Sequence, residues 1–326
     1  MMELFRDINI DWIGKSKFYF AFSGLVVLLG IYTFFFGNKI PQGVDFKPGT
    51  IVYVKFSQAV SAEQIRSAVH NGGVKDARIQ GYGKPENNEY IVALETAPNE
   101  QALDSGKQAI VAALNGSPLS GKFEVRKAEI VGPQVGDQLK KQAFWATVYS
   151  LGGMLVYLAF RFEFIYGMAA VIAVLHDTWF TLMVFSLTNT ELSLTVIAAL
   201  LTLIGYSMND TIVIFDRIRE NLKISRRESL VEVVNKSINQ TLSRTILTSG
   251  LTFLTVLSLY LFGGEVLHGF SFALVIGILI GTYSSIAVAA PVLVAYDNWK
   301  MSRSGRSAVG RSESRDSGKR DKAVRA

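Results

Sequence analysis

Six long apolar stretches decide most of what this 326-residue chain can fold into. Each stretch, as an α-helix rising about 1.5 Å per residue, can cross the roughly 30 Å of hydrocarbon in a bilayer. Hydrophobic residues make up 49% of the chain, and the mean hydropathy is +0.28. We predict a polytopic α-helical membrane protein with one non-membrane insert, residues 37–142. The predicted spans are residues 18–36, 143–160, 164–187, 192–215, 245–262 and 269–295.

Basic residues orient these spans, because Lys and Arg concentrate in loops on the cytoplasmic side. They precede the first span, fill the loop 216–243 and recur after the last span, whereas loops 188–191 and 263–268 have none. Both termini, residues 1–17 and 300–326, are therefore predicted to be cytoplasmic, with the insert outside. The first apolar run is too long for a signal peptide and lacks a small-residue cleavage site, so we expect a retained anchor helix.

The insert has its own pattern of strands and helices. Ser61 and Gln64 form a capping-box sequence that opens a helix ending near Asn71. Asn99 is placed to cap a second helix that ends near Asn115. The order βαββαβ predicts a ferredoxin-like α+β domain. β-Branched and aromatic residues predict its four strands at residues 50–56, 74–80, 89–95 and 122–131.

The C-terminal tail and the cysteine count limit the partners and the chemistry. From Ser302 on, the tail is rich in Ser, Gly and Arg and nearly free of apolar side chains, which predicts disorder. Much of the net charge of +6 lies in this tail and in the loop 216–243. Membrane topology and contact with anionic lipid explain that charge better than a nucleic-acid partner, which we do not expect. The absence of cysteine excludes disulfides, thiolate metal sites and a thiol nucleophile.

Asp210 is the most informative single residue, because it lies near the end of the apolar fourth span. A carboxylate at membrane depth costs roughly 2.5–3.5 kcal/mol on insertion scales, so it is a candidate for ion coupling. Thr202, Tyr206 and Asn209 recur near it at helical spacing. These four residues predict a polar stripe that faces protein or water. The alternative is an interfacial carboxylate that reaches headgroup water.

Two further sites contain ionisable residues. Arg244 opens the fifth span at a depth similar to that of Asp210, and the two side chains could pair; the alternative is an arginine that extends to the headgroups. Asp177, in the middle of the third span, is a second candidate proton carrier. Its neighbour His176 either supports that site or is a core histidine bonded to Ser or Thr. Adjacent residues point about 100° apart on a helix, so only one can face a given neighbour.

Glycine and proline are concentrated where the insert meets the spans. Residues 43–49 and 131–139 suit turns that set a fixed exit angle or act as hinges. In the last span, Gly277 and Gly281 form a small-xxx-small motif, which predicts close packing against another helix. The chain has no phosphate-binding loop and no cluster with metal-ligand spacing. An ion gradient acting on buried carboxylates is therefore the predicted source of energy.

These motifs make the chain resemble the SecF family, the smaller partners of SecD in bacterial preprotein export. The likeness rests on Gly43-Val44-Asp45-Phe46, on Val131-Gly132-Pro133-Gln134-Val135-Gly136, on His176-Asp177 and on the string from Ser207 to Asn221. Pro48 stands where the family usually has the first glycine of a pair. By position, Asp210 and Arg244 correspond to the family's transmembrane relay, and Asp177 falls in a recurrent family motif.

The resemblance also implies partners and an energy source. It implies one half of a resistance–nodulation–division-like transporter, with six helices here and six in SecD. The implied partners are SecD, the SecYEG channel, YajC, YidC as a further candidate, membrane lipid and unfolded preprotein. A proton gradient, or sodium in some members, would power export across the bacterial cytoplasmic (inner) membrane. No cofactor and no catalytic turnover are expected.

Three other functions are open to a chain with this pattern. A small-molecule efflux subunit would share the architecture, but such pumps resemble two external domains per half. An intramembrane hydrolase using a serine, His176 and Asp177 would need a geometry that adjacent residues do not easily reach. A passive scaffold would tolerate neutralisation of both Asp210 and Arg244.

Overall fold

The structure is a computed structural model. It describes residues 9–37, 40–46, 49–75, 77–82, 85–95, 100–131, 133–225 and 227–303. The predictions for Asn99, Gly132 and the tail beyond Arg303 concern residues outside this set.

The described elements follow the predicted order of one helix, a mixed insert and a helical remainder. In chain order they are α1 (Ser16–Phe35), β1 (Gly49–Phe56), α2 (Ala62–Asn71), β2 (Ala77–Gly81), β3 (Glu89–Glu95), α3 (Glu100–Asn115), β4 (Phe123–Val131), α4 (Pro133–Arg161), α5 (Phe164–Thr188), α6 (Leu194–Ile224), α7 (Leu230–Phe262), α8 (Gly264–Ser284) and α9 (Ala290–Arg303). A π-helical turn, Ser285–Ala289, joins α8 to α9.

Five helices in the described part of the chain are long and apolar enough to cross a membrane. They are Ile13–Phe35, Phe164–Thr188, Leu194–Ile224, Leu230–Phe262 and Val266–Arg303. The predicted span 143–160 lies within α4, a helix of 29 residues that is not among the five. A sixth span therefore stays a prediction.

The insert folds around one antiparallel sheet with the strand order β2-β3-β1-β4. Val52 and Phe56 on β1 face Ile65 of α2 and Leu114 of α3, and all four are almost fully buried. Side chains alternate along a strand, so Tyr53 points to the opposite face. The predicted capping box at the start of α2 is present, with the Ser61 hydroxyl accepting the Gln64 N–H.

The glycine motif in α8 packs against another helix, as predicted, and that helix is α6. A Cβ added at Gly277 would lie 2.5 Å from Leu203 Cδ1, and one at Gly281 would lie 3.2 Å from Ser207 Cβ. Glycine thus lets α8 approach α6 closely. This contact determines which side chains of the two helices meet.

Most of the predicted loop 216–243 is helical. α6 continues to Ile224 and α7 begins at Leu230, where Ser229 and Glu232 form a second capping box. Ile218 and Val234 are fully buried, so the two helices continue to pack beyond the predicted apolar spans.

The segment before α1 is fastened to α7 by two asparagines. The backbone N–H groups of Trp12 and Ile13 each donate to Asn235 Oδ1 at 2.9 Å. The Trp12 indole N–H donates to Asn239 Oδ1 at 2.9 Å, and Asn239 Nδ2 donates to the Ile10 carbonyl at 3.0 Å. The start of the anchor helix is therefore fixed to the helical bundle.

Candidate functional site

Asp210 lies on α6 with its carboxylate directed into the helical bundle. Only 1% of the residue is exposed. Its Oδ2 atom accepts a hydrogen bond of 2.7 Å from the Ser249 hydroxyl on α7, and the Thr282 hydroxyl of α8 lies near the same group. A hydrogen bond to a charged acceptor is worth about 1.5–3 kcal/mol. Helices α7 and α8 therefore hold the acid that α6 carries.

The predicted pairing of Asp210 with Arg244 is not present. Both residues lie in the described chain, but no ion pair joins them, and Arg244 is exposed. Ser249 is the residue of α7 that lies level with Asp210. Arg244 precedes it by about 1.4 turns, which places its Cα atom about 7.5 Å away along the axis and about 140° further round the helix. The pairing prediction was therefore wrong for the single chain.

The predicted polar stripe on α6 divides into two faces. Asp210 is buried, whereas Thr202 and Asn209 are exposed and Tyr206 is half-buried. The Thr202 hydroxyl donates back to the Ala198 carbonyl at 2.8 Å. Helix rotation explains the difference, because the close contact with α8 turns Asp210 inward and leaves Thr202 outside. Asn209 is exposed, but its side chain still reaches the Asp210 carboxylate. Thr202 and Asn209, together with the exposed Gly205 between them, form the outer α6 face.

Asp177 is a second buried acid, on α5, with 0% exposure. Its Oδ2 atom accepts hydrogen bonds of 2.6 Å from both Ser207 of α6 and Ser284 of α8. Ser284 is the last residue of α8, immediately before the π-helical turn. The sequence predicted a costly acid here, but it did not predict the two serines that bond to it. Asp177 joins three helices through one oxygen.

His176 bonds to its own neighbour. Its Nδ1 atom lies 3.1 Å from Asp177 Oδ1, so the alternative of a histidine bonded to Ser or Thr was wrong. A carboxylate can only accept, so Nδ1 carries the hydrogen when Asp177 is ionised. The Nε2 atom is buried and has no hydrogen-bond partner among the described residues.

A groove of about 390 Å³ lies between α1, α7 and the end of α8. Ser249, which donates to Asp210, lines it, as does Tyr283. The ring centroid of Tyr283 lies 6.5 Å from that of His176. The groove therefore lies beside both acid sites.

The Gly43-Val44-Asp45-Phe46 motif holds the start of α6. Asp45 Oδ2 accepts the Leu194 N–H at 2.9 Å, and the Ser193 hydroxyl accepts the Val196 N–H at 3.3 Å. Both bonds satisfy N–H groups that the first helical turn leaves free. The Asp45 carboxylate, from the segment before β1, thus caps the first turn of the helix that carries Asp210.

Two glycines allow this segment to dock. The Gly43 N–H donates to the Leu192 carbonyl at 2.8 Å, and a Cβ on Gly43 would lie 2.9 Å from that oxygen. Phe46 is 3% exposed, and a Cβ on Gly136 of α4 would lie 3.0 Å from its carbonyl oxygen. Pro133 begins α4. Gly132 lies outside the described residues, so its part in the predicted hinge stays a prediction.

An ion pair that the sequence did not predict also attaches the sheet of the insert to the loop before α6. Arg78 Nη1 on β2 lies 2.9 Å from Glu191 Oε1 and donates to the Gln42 carbonyl at 2.7 Å. Glu191 is the one charged residue in the predicted loop 188–191, which could have indicated it. We call the contacts made by Gly43, Asp45 and Arg78 the outer junction.

Within the described residues, no group of three or more His, Cys, Asp or Glu side chains could hold a metal ion. The candidate chemistry of both acid sites therefore rests on carboxylates, hydroxyls and one imidazole.

Comparison with known proteins finds a family model that matches the part of the chain containing Asp177 and Asp210. A family model described as Protein export membrane protein SecD/SecF, C-terminal, matches residues 112–299, and one described as SecD/SecF GG Motif matches residues 33–60. The chain is 51% identical to the protein translocase subunit SecF of Koribacter versatilis, over 92% of this chain and 94% of that protein. The chain belongs to the SecF family. The SecF of Calditerrivibrio nitroreducens is 44% identical, over 89% and 95% of the two chains.

Solved structures agree with membership of the SecF family. A crystal structure of SecDF, a translocon-associated membrane protein from Thermus thermophilus, matches with 36% identity and a TM-score of 0.75, over 90% of this chain and 39% of that one. A super-membrane-facing form of SecDF matches with a TM-score of 0.70, over 92% and 40%. The chain thus spans about two fifths of SecDF, and it is a membrane-spanning component of a protein translocase.

Proposed function

We propose that this chain is the SecF half of a SecD–SecF complex that uses the proton-motive force to drive or complete preprotein export across the bacterial cytoplasmic membrane. One observation carries the proposal. Asp210 is buried on α6 and held by a neutral hydroxyl, and the first turn of the same helix is bound by Asp45 of the outer junction.

Protonation of Asp210 is the proposed driving step. The membrane potential supplies about 2.3 kcal/mol per charge per 100 mV, which is comparable with the roughly 1.5–3 kcal/mol of a hydrogen bond to a charged acceptor. Neutralising the carboxylate weakens its hold on Ser249 and lets α6 shift against α7 and α8. Because Asp45 and Arg78 attach the insert at the start of α6, such a shift moves the external domain.

The outward-facing polar groups support SecD as the partner that completes twelve helices. Arg244 and the outer α6 face (Thr202, Gly205 and Asn209) are exposed on two helices that are long and apolar enough to cross a membrane. A charged group at membrane depth needs a partner or water, and small residues allow close helix approach. Arg244 then pairs across the assembled interface with a carboxylate of SecD.

The remaining parts of the proposal rest on the family resemblance and on the fold. Residues 143–160 form the sixth span, both termini are cytoplasmic, and the strand order β2-β3-β1-β4 supports a ferredoxin-like external domain. SecYEG, YajC and YidC are the proposed neighbours, and unfolded preprotein is the substrate. Protons are the proposed coupling ion, with sodium as the alternative, and the chain needs no cofactor and catalyses no reaction.

Export assays in inverted membrane vesicles test the proposal. Asp210→Asn should abolish the part of export that depends on the gradient, while export after collapse of the gradient stays as in the unchanged protein. Asp216→Asn is the matched control, since Asp216 lies on the same helix, its side chain is 45% exposed and it pairs with Arg161 at 3.6 Å. Full gradient stimulation in Asp210→Asn would refute proton coupling at this residue.

A passive scaffold is the competing function. It requires that Asp210→Asn and Arg244→Ala both leave gradient-stimulated export intact while the complex with SecD still copurifies. The outward position of Arg244 makes copurification the informative second readout, because of the two substituted residues only Arg244 is expected to act at the partner interface.

A further inference from the structure

His176 occupies an unusual position for a buried imidazole. Its side chain is 6% exposed, and Nε2 has no hydrogen-bond partner among the described residues. Leaving a buried polar atom unpaired costs about 1–3 kcal/mol. The Tyr283 and Ser23 hydroxyls are also buried without a hydrogen bond of good geometry in the described chain, although they lie close to each other. These unpaired atoms are found where α1, α5 and the end of α8 meet.

We infer that His176 transfers protons between the groove and Asp177, which forms a second proton site beside Asp210. The inference rests on the proposed function. Hydronium in the groove gives a proton to Nε2 and becomes water, and Nδ1 gives its own hydrogen to Asp177 Oδ1. An N–H bond forms at Nε2, an N–H bond breaks at Nδ1 and an O–H bond forms at Oδ1. The imidazole ends neutral in its other tautomer, and the carboxylate becomes a carboxylic acid.

The geometry provides the step from Nδ1 to Asp177 directly, and it places the imidazole beside a tyrosine of the groove. The separation of 3.1 Å between Nδ1 and Oδ1 is within hydrogen-bond reach. Tyr283, whose ring lies beside that of His176, also lines the groove. In the described chain the titratable groups around the imidazole are Asp177 on α5, Tyr283 from α8 and Tyr19 from α1, whose ring centroid lies 6.2 Å from that of Tyr283. His176 is the only described residue that forms an ion-pair contact with Asp177.

Protonation of Asp177 acts on the same helices as protonation of Asp210. It removes the charge from the carboxylate whose Oδ2 accepts from both Ser207 and Ser284, so the contacts of α5 with α6 and α8 weaken together. Ser207 precedes Asp210 on α6 by about one turn. Ser284 adjoins the π-helical turn, a feature that often occurs at functional sites.

Nitrogen NMR of labelled histidine tests the transfer in the SecD–SecF complex reconstituted in lipid. The chain has three histidines; His70 and His268 are exposed and are replaced by Gln so that only the His176 signal of this chain remains. SecD is prepared unlabelled. We expect the neutral Nδ1–H form at high pH and conversion to the neutral Nε2–H form on acidification. In Asp177→Asn acidification should no longer drive conversion from the Nδ1–H to the neutral Nε2–H form, because the amide cannot take the proton. A spectrum that stays Nδ1–H, or becomes imidazolium alike in both proteins, would overturn the inference.

Export assays separate this inference from the proposed function. His176→Phe should reduce gradient-stimulated export by at least about tenfold, with SecD still copurifying, while His268→Gln should leave it unchanged. If Asp210→Asn abolishes the stimulation and His176→Phe does not, the inference fails and the proposed function stands. If Asp210→Asn has no effect, the proposed function fails. If His176→Phe does not fold, the NMR spectra alone decide, because they keep His176.

Discussion

Asp210 is held by a hydroxyl and not by a cation. Ser249 donates one hydrogen bond of 2.7 Å, while Arg244 points away from the bundle. A neutral donor offsets the desolvation of a buried charge less than a guanidinium in good geometry would. The charged form of Asp210 is therefore held less firmly within the chain, which suits the proton exchange that we propose for this residue.

Tyr53, on strand β1 of the insert, allows a prediction about how stability depends on pH. Burial, followed by the neighbouring Glu129 carboxylate, raises the pKa of Tyr53 to about 12 from its ordinary value of 10.0. The Tyr53 hydroxyl donates to Glu129 Oε2 at 3.2 Å. Because the folded value is raised, the stability that this group contributes is fully present below pH 10 and is lost as the pH rises towards 12. Tyr53→Phe should remove this part of the alkaline loss.

Urea unfolding at a series of alkaline pH values, followed by near-ultraviolet circular dichroism, measures this effect. Tyr82→Phe is the control, since Tyr82 is 42% exposed and packs edge-on against Tyr53. Equal alkaline losses in Tyr53→Phe and the unchanged protein would contradict the assignment to Tyr53.

At the scale of elements, α6 connects the acid site to the outer junction. Asp45→Ala removes the acceptor for the Leu194 N–H, which should cost about 0.5–2 kcal/mol of local stability. Hydrogen exchange at the first turn of α6 should become faster, and gradient-stimulated export should fall although Asp210 is intact. Asp137→Ala is the control, because the Asp137 side chain is 72% exposed on α4. Unchanged exchange at the first turn would show that Asp45 does not hold it.

The contact between α6 and α8 gives a second prediction at this scale. Gly277→Val would push a side chain against Leu203, where even a Cβ would lie 2.5 Å from Cδ1. Overpacking of this kind costs about 1–3 kcal/mol, so thermal unfolding in detergent should occur at a lower temperature. Gly152→Ala on α4 has open space around the added Cβ and should be neutral or slightly stabilising. Equal melting temperatures for Gly277→Val and the unchanged protein would contradict this prediction, because α6 and α8 would then accommodate the valine without loss of stability.

Local signals in the sequence predicted elements better than contacts between them. The bounds of β3, residues 89–95, and the capping box at Ser61 follow from neighbouring residues, so they were predictable. The bond from Leu194 to Asp45 joins residues 149 positions apart, and no local pattern indicates it. The orientation of Arg244 depends on how α7 is rotated against its neighbours, which hydropathy alone does not determine.

The two acids of the candidate site were predicted from the free-energy cost of placing a carboxylate in an apolar helix, but their hydrogen-bond partners were not predicted. Asp177 and Asp210 were recognisable because acids in apolar helices are expensive. Their partners, Ser207, Ser249 and Ser284, could not be singled out, because serine is common in membrane helices both as a small packing residue and as a hydrogen-bond donor. Only the packing of three helices decides which serine meets which acid.

At the scale of the whole molecule, the insert is attached to the bundle at the N-terminal end of α6. The Arg78–Glu191 ion pair and the Asp45–Leu194 bond are both made there. The exposed guanidinium of Arg244 lies on another helix, and its orientation is the reason to expect a second membrane subunit. Under the proposed function, a movement started at Asp210 would reach the insert along α6, while SecD would contact the bundle elsewhere.

Distance measurement between two spin labels tests the central claim most directly. The chain has no cysteine, so Ser67→Cys on α2 and Ser258→Cys on α7, both exposed, label only the external domain and the bundle. In the SecD–SecF complex in lipid, acidification should shift the distance distribution. Asp210→Asn should show the acid distribution at every pH, and Asp216→Asn should keep the shift. A pH-dependent shift that survives in Asp210→Asn, or no shift in the unchanged protein, would contradict the account.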